Sequence, residues 1–190
     1  MAEFNVTTKV ESLRTLMTQM KHAYWYNTPN KAVSTIGTID LELPVLEDGV
    51  SFNTGEADVS RIKLITGDTW VSKAEAGDAD ITFQVSSVDG VVNDLLMTKT
   101  VSTKATTTAT FDGKTYEGYG YSLAPKKVVG GLLLTGEPGE AMVFFPNVEL
   151  YASLVLEDGD NPSYYNVVVT PLNDDNGAAF YPLTPSEGNG

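Results

Sequence analysis

The chain holds one histidine, His22, and no cysteine, so thiolate nucleophiles, thiolate zinc sites and disulfides are all excluded. His22 stands beside Lys21. A catalytic imidazole needs an oriented partner, and the sequence offers no nucleophile in a setting such as GxSxG. Two stretches crowd oxygen ligands together, "DGDNPS" at 158–163 and "NDDNG" at 173–177. An EF-hand loop alternates its ligands over about twelve residues and closes on a Glu. Neither stretch does so, and both read as acidic turns. Asp112-Gly113 and Asp89-Gly90 likewise read as turn and helix-cap chemistry. Glycoside hydrolysis would need two carboxylates facing one cleft, and no pair is nominated among the 25 acidic side chains. "GDTW" and "VVGGLL" lack the spacing of a phosphate-binding or dinucleotide loop. The aromatics Tyr24, Trp25, Tyr26, Tyr164 and Tyr165 fit a sugar-binding platform or a protein interface equally well. No residue is nominated as catalytic, cofactor-binding or metal-ligating, and the expectation is a protein that is not an enzyme.

The elements that would position any site begin with a helix signal. In "TTKVESLRTLMTQMKHAYWY", Thr8 and Glu11 have capping-box spacing, and Leu13, Leu16, Met17, Met20 and Tyr24 recur on one face. A helix over about 9–24 is predicted, ended by Pro29. Strands follow. Ile39, Leu41 and Leu43 alternate with Asp40 and Glu42, and Pro44 ends that run. "EDGVSFNTGEADVSRIKLITGDTW" reads as turn, short strand, turn, strand and turn, with Ile62 and Leu64 on one face and Arg61 and Lys63 on the other. Ile81, Phe83 and Val85 point inward from a further strand.

Val88, Val91, Val92, Leu95 and Leu96 then give one apolar face of a helix over 87–97, capped by Ser86 or Ser87. The Thr-rich segment 98–110 is either a mobile loop or the first limb of a long hairpin. Asp112-Gly113 marks a two-residue hairpin turn, with Tyr119 and Tyr121 on one face beyond it and Gly118 and Gly120 on the other. Turns are expected at 130–131 and 136–139. Val148, Leu150, Ala152, Leu154 and Leu156 alternate strictly, and Tyr165, Val167 and Val169 answer them from an antiparallel partner. The tail from Leu172 either docks through Phe180 and Tyr181 or frays.

The formal net charge is -13, from 25 acidic against 12 basic side chains. Such a field opposes direct phosphate binding, which needs clustered cations. No apolar run reaches the roughly 20 residues of a membrane helix. The opening residues lack the basic region and apolar run of a secretory signal, so folding in a cytoplasm is expected.

Three phrases carry a resemblance: "FNTGEADVSRIKLITGDTWVS", "GDADITFQVSSVDGVVNDLLM" and "PNVELYASLVLEDGDNPSYYNVVVTP". Over residues 35–172 the order of parts resembles the major tail tube proteins of long-tailed bacteriophages and, more weakly, the inner tubes of contractile injection machines. The resemblance implies a mainly β fold, a β-sandwich or distorted barrel with a flanking helix. It divides the chain into a helical arm or interface element at 1–30, a tube domain at 31–172 with its helix at 87–97, and a C-terminal arm or flexible tail at 173–190. The β segments 31–45, 58–66, 79–85 and 147–170 would supply the sheets, and the N-terminal helix would be an addition to the family pattern.

The resemblance further implies a virion protein made in a host cytoplasm. Six copies would close into a ring, and rings would stack with each other and with other tail proteins. Double-stranded DNA would pass through an acidic lumen without specific binding. The alternative is an adhesin or head-fibre-like β-sandwich that binds carbohydrate.

Overall fold

The computed structural model describes residues 20–56, 58–63, 65–67, 69–75, 77, 79–86, 89–156 and 163–185. Among the described residues the fold is mainly β, a curled, open half-barrel of seven strands with one flanking helix. Its strands are β1 (His22–Tyr26), β2 (Leu41–Leu43), β3 (Val45–Asn53), β6 (Asp80–Val85), β11 (Val128–Thr135), β12 (Met142–Val155) and β13 (Tyr164–Pro171). Between β3 and β6 the chain forms β4 (Asp58–Lys63) and β5 (Thr69–Glu75), a separate hairpin. The spatial order is β2-β1-β11-β12-β13-β6-β3, antiparallel throughout. β2 and β3 lie at opposite ends of this order, yet only Pro44 separates them in sequence. The sheet therefore curls far enough to bring the adjoining ends of its two edge strands together at that proline. There Ser86 N–H donates to the Pro44 carbonyl at 3.0 Å, and Val50 N–H to the Met20 carbonyl at 3.3 Å.

Alternation in three strands sets the core, because successive side chains in a strand point to opposite faces. The inward rungs read Leu150–Val169–Ile81–Phe52, then Ala152–Val167–Phe83–Val50, then Leu154–Tyr165–Val85–Val45. Ile81, Val85, Leu150 and Val169 are wholly buried. Leu156 departs from the expected run: it follows the last strand residue and is exposed.

The helix α1 (Gly90–Leu96) packs Val92 and Leu96 into this core, with Leu95 at its margin. Its cap is Asp89, whose carboxylate accepts from Val91 N–H at 2.8 Å, and not Ser86. Ser86 is held at the Pro44 joint, while Ser87 and Val88 lie outside the described residues. Val91, expected on the apolar face, is exposed.

Three expectations are corrected. The predicted N-terminal helix cannot run to residue 24, since His22–Tyr26 is strand β1, and its remainder to residue 19 lies outside the described residues. Both faces of β1 are covered: Ala23 and Trp25 enter the main core, while Tyr26 joins Leu133 and Phe144 in a second cluster on the outer face. Residues 31–40 do not form a strand. They include a single 3-10 turn (Val33–Thr35) whose Val33, with Ile36, covers that second cluster. The Tyr26 hydroxyl fixes this cover by donating to the Ile36 carbonyl at 2.6 Å.

Gly130-Gly131, expected as a turn, lies inside β11. A Cβ on Gly130 would stand 2.3 Å from the Trp25 ring and from the Tyr26 carbonyl oxygen, so only glycine lets β11 run beneath that indole. A bulge at this point sets Pro146 and Asn147 against Gly131. It shifts the inward phase of β12 from Val143 and Phe145 to Val148 and Leu150. The C-terminal strand β14 (Tyr181–Leu183) pairs with Met142–Phe144 of β12, and Phe180 packs its ring against Phe52 and Phe145.

Candidate assembly surface

Two hairpins leave the half-barrel, and most of their described side chains are exposed. In the first, β4 and β5 pair only with each other, and every residue of β4 is exposed. Ile62 faces Val71 across the pair, and Arg61 faces Ser72 on the opposite side. The expected division of faces at Ile62 and Arg61 is therefore observed; Leu64 lies outside the described residues. Ile62 is 67% exposed, and Val59, Ile65 and Val71 are exposed with it.

The second arm spans 98–122. Three short pairings hold it: β7 (Thr98–Lys99) with β10 (Tyr121–Ser122), β8 (Ala105–Thr106) with β9 (Glu117–Gly118), and a bridge of Phe111 with Lys114. The Thr-rich segment is thus the first limb of a long hairpin. Its tip is Asp112-Gly113, where φ is 50° and 73°, as the turn that matches strand twist requires. Lys104 pairs with Glu117 across the middle. Val101, Phe111, Tyr116 and Tyr119 remain exposed. Of Gly118 and Gly120, only Gly120 is closely approached: a Cβ there would lie 2.9 Å from Val101 Cγ2, whereas one on Gly118 would meet open space.

The root of this arm is bolted to α1. The Tyr121 hydroxyl donates to Asp94 Oδ1 at 2.6 Å, and Lys99 Nζ donates to Asp94 Oδ2 at 2.7 Å. Lys99 also lies 3.9 Å from the centre of the Tyr119 ring, a cation–π contact. The hydrogen bonds from Lys99 and Tyr121 hold the Asp94 carboxyl below the usual range, and the bond to Asp94 pushes the Tyr121 phenol up to about 12. Lys126 donates to the carbonyls of Asp94 and Leu95 at 2.7 and 2.9 Å, satisfying acceptors that a helix end leaves open. From the other side Tyr165 Oη donates to Asn93 Oδ1 at 2.5 Å. The short helix is at once a lid on the core and the foundation of the arm.

The residues weighed for chemistry are dispersed. His22 lies exposed on β1, with Nδ1 3.2 Å from Glu42 Oε1. "NDDNG" is a turn: Asp174 accepts from the N–H groups of Asn176 and Ala178, both at 2.8 Å, and from the Tyr181 hydroxyl at 2.7 Å. The Tyr181 bond leads in holding the Asp174 carboxyl below its ordinary range. In "DGDNPS" all but Ser163 lies outside the described residues. The sugar platform does not form, because Trp25, Tyr26 and Tyr165 are buried in the two apolar clusters. Among the described residues no group of three or more His, Asp or Glu is placed to hold a metal ion, and no helix is long and apolar enough to cross a membrane. Sequence reasoning missed the Asp94–Lys99–Tyr121 cluster. The contact spans 27 positions, and no local pattern signals it. No protein-family model matches the chain, and no curated protein sequence matches it.

Proposed function

We propose that the chain is a structural, non-enzymatic subunit that assembles with copies of itself into stacked rings, as the tail tube of a long-tailed bacteriophage. In that role the bore is the conduit for DNA during ejection. The observation that carries this reading is the pair of arms, which hold apolar side chains such as Ile62 and Phe111 away from the core of their own chain. Side chains of that size gain about 1.5–3 kcal/mol each when fully buried, and a neighbouring subunit is the simplest source of that burial. The fold class agrees with the tail-tube resemblance at the level of a curled sheet with one flanking helix.

The excess of 25 acidic over 12 basic side chains would keep transiting phosphates from sticking, if much of it faces the bore. The carbohydrate-binding alternative loses its aromatic platform to the core. Electron microscopy of the purified protein tests the proposal. Fibres of constant width with an axial bore are expected, and discrete particles at every concentration would refute it.

A further inference from the structure

The outer face of the half-barrel is divided. Over β1, β11 and the start of β12, Tyr26, Leu133 and Phe144 lie beneath Val33, Ile36, Tyr181 and Leu183. Over the rest of β12, β13, β6 and β3, the outward side chains remain largely open to solvent. The strand register places them on two rungs. One reads Ser153–Asn166–Gln84, and the next reads Tyr151–Val168–Thr82–Ser51. None of these seven side chains carries a charge. Charge returns on the following rung, where Glu149 stands opposite Thr170 and Asp80 opposite Asn53. The face is also hollow, with a concavity of about 490 Å³ lined by Gly49, Ser51, Thr82, Gln84, Ser153 and Asn166.

We propose that this patch of seven uncharged side chains receives a second copy of the same chain, which deepens the assembly reading and rests on it. Each copy carries a formal charge of -13, so copies repel wherever carboxylates meet. Burying an unpaired carboxylate against a like-charged neighbour costs far more than burying a hydroxyl or an amide. Hydroxyl and amide groups can donate and accept across a contact, which suits a partner of the same sign of charge. A patch of four strands by two rungs covers roughly 200–300 Å². That is well below the roughly 800 Å² per partner of a stable pairwise interface. The face therefore works together with the arms in a many-contact assembly and does not support an isolated dimer.

The test places charge on the face. Thr82→Glu/Asn166→Glu is compared with Ser34→Glu/Thr38→Glu, which adds the same charge on the covered half. Circular dichroism melting checks the fold, and sedimentation velocity over a concentration series with electron microscopy reads assembly. The face variant is expected to need about tenfold or more protein to assemble, with the control close to wild type. Should the double variant fail to fold, the isosteric Asn166→Asp is read the same way. Wild type that assembles while the face variant matches the control overturns this inference and leaves the assembly reading standing. Wild type that never assembles overturns both. Glycan-array binding that disappears with these substitutions would make a sugar the occupant and overturn the second copy.

Discussion

Two phenylalanines show how differently the chain treats its two regions. Phe145, in the half-barrel, is wholly buried and meets the rings of Phe52 and Phe180 at 5.1 and 6.1 Å. Phe111, near the tip of the second arm, touches Tyr116 at 6.2 Å and stays 61% exposed. One ring is fixed by neighbours from two distant parts of the chain, the other by a residue of its own hairpin. The apolar core of the half-barrel is complete within one copy, while the arms hold apolar surface that one copy leaves uncovered. Stability should therefore reside in the first region, and the apolar share of association in the second.

The largest effect should come from Phe145→Ala, which empties a packed site and is expected to cost about 3–5 kcal/mol in urea unfolding. A loss below about 1 kcal/mol would break the contrast. Leu95→Asp, at the margin between α1 and the core, should cost about 2–3 kcal/mol, and an unchanged melting midpoint would place that side of the helix outside the core. Tyr165→Phe removes the hydroxyl that reaches Asn93 and should cost about 1–2 kcal/mol.

The arm root should respond to pH. The Asp94 carboxyl is held below its ordinary value of 3.8, so its stabilising contribution is present above that pH and fades as pH falls through the lowered value. The Tyr121 phenol is raised from 10.0 to about 12, so its contribution is present below pH 10 and fades as pH climbs towards 12. Amide exchange of 98–122 should accelerate at both extremes before that of β12 and β13, and Asp94→Asn should remove the acid limb. Smallest of all, Ile62→Ser and Phe111→Ser should each change the unfolding free energy by less than about 0.5 kcal/mol. Both should nevertheless suppress fibres in electron microscopy, and a variant that melts early would tie its arm to the fold after all.

The parts legible in the sequence share one physical trait: a single buried face. Ile81, Phe83 and Val85, or Tyr165, Val167 and Val169, alternate with exposed residues, so period two is written openly. Asp112-Gly113 was legible because few other dipeptides adopt two successive positive φ angles. β1 was hidden because both of its faces are covered, and its "AYWY" continued an apolar pattern of helical spacing. β11 was hidden because its paired glycines imitate a turn, and the reason for them, the Trp25 ring, comes from more than a hundred residues earlier. The candidate assembly surface was legible only as hairpins. What they are bolted to depends on contacts such as Tyr121 with Asp94, which local spacing does not encode.

The strand order has a consequence for synthesis. β1 takes β2 as one neighbour almost at once, but its other neighbour, β11, is not complete until Thr135. At about 5–20 residues per second, a ribosome would leave Trp25 and Tyr26 waiting for roughly 5–20 s. During that interval Val33 and Ile36 are already at hand for Tyr26, but the Trp25 indole lacks the glycine strand that later runs beneath it. The β1 end of the sheet is thus among the last parts of the half-barrel to close, although it is among the first to be made.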